Sequence, residues 1–141
     1  ASMLDPKELQ IGNWVYESKI AQFPMQVKTI GEDYCYLDFE ENEGDMFDGL
    51  LEEMMPIPIT KVLLIQCGFR SAHDGDTISY RQRIGCYRII VDEMTKDIWR
   101  CHIHQKTELV GSFKFSYLHE LQNGVRLITK KDLQIIKTKD K

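Results

Sequence analysis

Between Gln22 and Thr29 the side chains alternate, with Phe23, Met25, Val27 and Thr29 set against Gln22, Gln26 and Lys28. A period of two belongs to a half-buried strand. It predicts a strand over residues 21–30, flanked by shorter candidates at 12–17 and 34–39 and turned at Gly31-Glu32-Asp33. Ahead of them, Asp5-Pro6-Lys7-Glu8 has an acid at the cap, proline at the first helical position and glutamate three residues on. That is a capping box on a short turn of helix. Three short curled strands entered through Ile11-Gly12-Asn13-Trp14-Val15 are how a small SH3-like barrel begins, and closure removes the edges short strands would expose.

Periodicity then lapses. Residues 40–53 carry Gly44 and Gly49 and no sustained pattern, so they read as an acidic loop with room for one helical turn at 50–54. Pro56 and Pro58 force extended backbone around Ile57. Thr60 caps a predicted helix over 61–66, with Val62, Leu63 and Ile65 expected to face inward and Gly68 as its stop. Beyond it the period of two returns at 77–83, 86–91, 98–105 and 109–115, an antiparallel meander with turns at Asp74-Gly75 and 92–97. In the third of these strands Ile98, Arg100, His102 and His104 share one side, and Trp99, Cys101 and Ile103 the other.

The last clear element is helical. Leu118, Leu121, Val125 and Ile128 are spaced 3, 4 and 3 apart, predicting an amphipathic helix over 117–128. Gly124 sits inside it, at a cost of about 1 kcal/mol relative to alanine, so either a neighbour packs close there or the helix bends. Residues 133–136 are expected to add a strand, and 137–141 form a basic tail. The fold class is therefore α+β: an N-terminal SH3-like small β-barrel segment, then an antiparallel β-meander with a packed C-terminal α-helix. The expected division is 1–55, which includes the acidic loop, and 56–141, the two sharing one core.

Three stretches carry a resemblance: Leu9-Gln10-Ile11-Gly12-Asn13-Trp14-Val15, Pro56-Ile57-Pro58-Ile59-Thr60, and Tyr117-Leu118-His119-Glu120-Leu121-Gln122-Asn123 with Leu127, Thr129 and Leu133. Together they resemble a family of small proteins from gut bacteria and their phages, whose frame reads "LRIGNxV … PIPLT … YVHxLQN". The resemblance touches both ends and the middle. It implies a phage or prophage origin, without implying an activity. At Gly124 the family frame has a large apolar residue.

Composition narrows the class. The 141 residues are 43% hydrophobic and 28% charged, as in a globular domain. No apolar run approaches the roughly 18 residues needed to span a bilayer. Ala1-Ser2-Met3 shows neither the basic nor the apolar region of a signal peptide. Cys35, Cys67, Cys86 and Cys101 form no CxxC pair and each lies beside apolar residues, so a reduced, cytoplasmic protein is expected. Charge is uneven along the chain. Residues 1–75 hold 14 acids against 5 bases, a net −9, and residues 76–141 hold 8 against 13, a net +5, which together give −4. Eight of the acids fall between Asp38 and Glu53 with no base among them. Such asymmetry marks a partner-binding face, with Glu40, Glu41, Glu43 and Asp45 at its centre, an internal clasp or a solvated loop.

Few constellations carry chemistry. His102 and His104 share a strand face, but zinc needs three or four ligands and local spacing supplies no third; no metal or cofactor is expected. The run from Asp38 to Asp45 fails the EF-hand template because Glu43 stands where that loop requires glycine. Arg81 and Arg83 share a strand face with Arg88 on a neighbouring strand, a set able to take phosphate or carboxylate bidentately. His119, Gln122 and Asn123 form a polar stripe at i, i+3 and i+4, either a small ligand site or hydrogen bonds tying the helix to nearby backbone. No P-loop, nucleophile elbow, dinucleotide glycine motif or HExxH is present.

The reading that results is a non-catalytic protein–protein interaction module, not an enzyme, whose partner is a host or phage protein and which counteracts a host system. The alternatives are a binder of a small phosphate-bearing anion through the arginine face, or an acidic nucleic-acid mimic. Membrane association and direct nucleic-acid binding are not expected, and self-association stays open.

Overall fold

The structure, a computed structural model, describes residues 4–20, 22–38 and 47–134. Its contacts divide the chain into two units, Ala1–Ile57 with Tyr117–Asn123, and Pro58–Ser116 with Gly124–Lys141. The C-terminal helix contributes its first half to one unit and its second half to the other. The class is α+β, with two antiparallel sheets of five strands each among the described residues.

The first unit opens with the expected turn. Asp5 Oδ1 accepts from Lys7 N at 2.9 Å, and Pro6–Glu8 is a 3-10 turn. Strands β1 (Trp14–Tyr16), β2 (Pro24–Ile30), β3 (Tyr34–Asp38) and β4 (Phe47–Leu50) form a meander, and β5 (Met55–Pro56) returns beside β1. The order is β4-β3-β2-β1-β5, and the sheet is open, so the expected barrel closure is not confirmed. Val15, Met25, Val27, Cys35, Leu37, Leu51 and Met54 pack into one core with Leu4 and Leu9.

Strand β2 follows its alternation only partway. Met25 and Val27 are buried, whereas Thr29 is exposed, because the register against β3 shifts between Val27 and Thr29. A bulge inserts one residue and turns the following side chain to the other face. Strand β4 falls inside the stretch read as loop. Its buried position is Gly49, where a Cβ would lie 2.5 Å from Leu37 Cδ1, and Phe47 on the same face is exposed, so the strand buries no large apolar side chain to betray it. The expected turn at 50–54 is present, with Glu53 N and Met54 N both donating to Leu50 O at 2.9 and 3.0 Å.

The second unit begins with helix α1 (Lys61–Gln66), where Thr60 Oγ1 accepts from Leu63 N at 3.1 Å. The inward face differs from the expected one. Leu64 is buried, Leu63 half-buried, and Val62 and Ile65 are 67% and 50% exposed. Four consecutive apolar residues cannot fix the phase of a helix under two turns long; Leu64 is buried together with Cys67 and Phe69 just beyond its end.

Five strands follow in meander order: β6 (Arg70–Asp74), β7 (Thr77–Ile84), β8 (Tyr87–Thr95), β9 (Ile98–Gln105) and β10 (Glu108–Phe115). Strand β6, Arg-Ser-Ala-His-Asp, has no large apolar residue to announce it; it is the polar edge that discourages further pairing. Each hairpin closes through two residues, and positive φ falls on Gly75, Gly85, Asp97 and Lys106. Ile89, Val91, Trp99, Cys101, Ile103 and Phe115 are buried on the inner face. Cys67 and Cys101 are buried and their thiols are pushed up to about 12 by burial, whereas Cys86 is exposed at the β7–β8 turn, contrary to the expected apolar setting.

Helix α2 (Leu118–Thr129) shifts one residue from its predicted span. In its second half the Gly124 question resolves toward close packing, by a side chain and not by backbone. A Cβ at Gly124 would lie 2.6 Å from Phe113 Cε1, so the ring of β10 closes onto the helix there. Gly124→Ala is therefore expected to destabilise by about 1–3 kcal/mol, as overpacking does, despite alanine's better helix propensity. Chemical denaturation checks this; Phe113→Leu should soften the loss, since the two positions share one space. Leu133 is buried and residues 131–134 are not a strand; the rest of the expected last strand lies outside the described residues.

Candidate functional site

Two polar constellations emerge, one in each unit. In the first, Gln122 and Asn123 spend their side chains on the chain's beginning. Asn13 Nδ2 donates to Asn123 Oδ1 at 2.8 Å, and Asn123 Nδ2 donates to Glu8 O at 2.8 Å. Trp14 N donates to Gln122 Oε1 at 2.9 Å, and Gln122 Nε2 donates to Gly12 O at 3.1 Å, beside a second donor from Gln26 Nε2. Asn13 in turn accepts from Gln10 N through Oδ1 at 2.8 Å. Residues more than a hundred positions apart are thus tied by amide groups that match donor to acceptor at both ends. Glycine suits position 12, where φ is +102°. Nearby, Leu118 N donates to Ile57 O at 2.9 Å. Residues 8–14 and 122–123 therefore meet in one network, with Leu118 and Ile57 bonded nearby.

His119 sits differently. It is 1% exposed, and neither ring nitrogen has a hydrogen-bond partner. Glu8 Oε1 stands 3.8 Å from Nε2, beyond hydrogen-bond reach, and the ring stacks on Tyr117 with centroids 6.1 Å apart. Burial pushes the imidazole below its usual 6.5, partly offset by the carboxylates of Glu120 and Glu8. The folded protein holds it neutral near pH 7. Above 6.5 both folded and unfolded chains keep it neutral and stability is complete. Below 6.5 the unfolded chain takes up a proton the folded one resists, so stability falls as pH falls. Melting temperature should drop between pH 7.5 and 5.5, and His119→Gln should flatten that slope.

The second constellation lies on the outer face of the second sheet. On β7, Arg81 and Arg83 alternate with buried or half-buried Tyr80, Gln82 and Ile84. In the ladder Arg83 stands directly opposite Arg88, Arg88 opposite His104, Arg81 opposite Ile90, and Ile90 opposite His102. Arg70, from the strand that was not read in the sequence, stands directly opposite Arg81. Directly opposed residues share a face with Cβ atoms about 4.5–5.5 Å apart. Four exposed arginines and two half-buried histidines therefore occupy one surface. Arg81 Nε donates to Ser79 Oγ at 3.1 Å. Among the described residues no carboxylate lies within ion-pair distance of Arg70, Arg81, Arg83 or Arg88. Arg100 differs, held by Asp92 through bonds of 3.1 and 3.4 Å that raise its pKa. His104 Nδ1 is shielded from water and unpartnered.

Glu40, Glu41, Glu43 and Asp45 lie outside the described residues. Among the described residues no three His, Cys, Asp or Glu side chains come together to hold a metal ion, and no helix is long and apolar enough to cross a membrane. Comparison of the chain with protein-family models, with curated proteins and with solved structures finds no match.

Proposed function

We propose that the protein is a non-catalytic interaction module whose second sheet binds an acidic segment of another protein. One observation carries this reading. Two arginine pairs, Arg70 with Arg81 and Arg83 with Arg88, are placed directly opposite each other. Like charges in that position destabilise a sheet, and the repulsion is relieved when an anionic partner arrives between them. Half-buried Ile90, opposite Arg81 in the same cross-strand row and two residues from Arg88 along β8, offers an apolar contact beside them. The net charge of −4 disfavours a long nucleic acid.

We infer, from the sequence resemblance alone, that the partner is a host or phage protein met in the cytoplasm and that the binding event counteracts a host system. The first unit supports the same picture as scaffold. Its strand order, with β5 back beside β1 and a bulge bending β2, suits a partly open SH3-like barrel.

A labelled decaglutamate peptide tests the reading. Binding is expected at about 0.01 M ionic strength and should weaken steeply toward 0.15 M, as the Debye length falls from about 30 to about 8 Å. Substituting Arg81, Arg83 and Arg88 together by glutamate should abolish it. Failure to bind at low salt, or binding indifferent to the triple substitution, would refute the proposal.

A further inference from the structure

We propose that the anionic group recognised on the partner is a phosphate monoester, a phosphorylated side chain seated between Arg83 and Arg88 beside His104. This rests on the acidic-partner reading and names its chemistry. Arg83 and Arg88 are opposed across β7 and β8, and His104 follows Arg88 in the same cross-strand row on β9. A single carboxylate brings one negative charge to two guanidiniums and leaves one uncompensated. A phosphate monoester carries about −1.5 to −2 near pH 7 and three acceptor oxygens. Each guanidinium can give it two parallel N–H bonds from a planar fork, which lysine cannot. His104 borders the same place with Nδ1 buried and unpartnered, on a strand whose next outward arginine, Arg100, is already neutralised by Asp92. The second pair, Arg70 with Arg81, lies in the next row along, which continues through Ile90 to His102. It is placed for a carboxylate of the residues flanking the phosphate.

The test compares two labelled peptides of equal net charge on the full chain. One has a single phosphoserine among glutamates; the other has two glutamates in its place. The phosphopeptide is expected to bind at least about tenfold more tightly. Arg88→Lys should remove that difference while keeping most of the binding common to both, because it keeps the charge and loses the fork. Inorganic phosphate should displace the phosphopeptide only at far higher concentration than unlabelled phosphopeptide does. Equal affinities would overturn the phosphate assignment while leaving the acidic-partner reading intact. Displacement by inorganic phosphate as effective as by peptide would overturn the assignment to a partner's side chain. Absence of binding by either peptide at low salt would overturn both readings together.

Discussion

Leu121→Ala is expected to cost about 2–5 kcal/mol and to leave little folded protein at 37 °C. Leu121 has no exposed surface, and its neighbours Leu118 and Val125 on the same helical stripe are equally buried. Truncating such a side chain loses its transfer free energy and leaves a cavity the surroundings fill only in part. A domain of this size has only about 5–15 kcal/mol to lose. Leu127 is the control on the same helix. It is 72% exposed, so Leu127→Ala should change stability by no more than about 0.5 kcal/mol. Urea denaturation of both variants measures the contrast, and comparable losses would mean that the buried stripe has been misplaced.

Asn123→Ala should be the most damaging polar substitution, at about 2 kcal/mol. It strands two groups, Asn13 Nδ2 and Glu8 O, each of which has Asn123 as its partner, and an unpaired shielded polar group costs about 1–3 kcal/mol. Part of that loss is recovered by water, since Glu8 is exposed. Asn123→Asp is the sharper probe. Aspartate still accepts from Asn13 but turns a second acceptor toward the Glu8 carbonyl, so it should be no better than alanine. Gln122→Ala should cost less, because Gly12 O keeps its bond from Gln26. Equal tolerance of aspartate and asparagine at 123, read from melting curves, would contradict the network described.

Much of the fold was legible because it rests on period. Four of the five strands of the second sheet, the C-terminal helix to within one residue and the two faces of 98–105 follow from side-chain alternation and helical spacing alone. What was not legible lacked an apolar signal. Strand β4 buries a glycine, β6 is a polar edge, and the apolar run of α1 is continuous and so carries no phase. The outer arginine face was half visible, since Arg81, Arg83 and Arg88 follow from alternation on paired strands. Arg70 escaped because its strand did. The amide network was nameable only as two alternatives, because partners 110 positions apart leave no trace in local spacing. The acids at 40, 41, 43 and 45 are conspicuous in composition, but composition does not say what they face.

The arginine face makes one demand that an ordinary solvated surface would not. If Arg83 and Arg88 are opposed for the sake of a partner, the free protein is less stable for their presence. Arg88→Glu places a carboxylate directly opposite Arg83 in the ladder. Such pairs contribute roughly 0.2–1 kcal/mol where like charges detract. The decisive measurement is therefore the melting temperature and the decaglutamate affinity of this single variant. A melting temperature raised by about 2 °C or more, together with affinity lowered at least about tenfold at low salt, is the expected result. A variant that melts no higher and binds as well as the parent would contradict a sheet face held for an anionic partner.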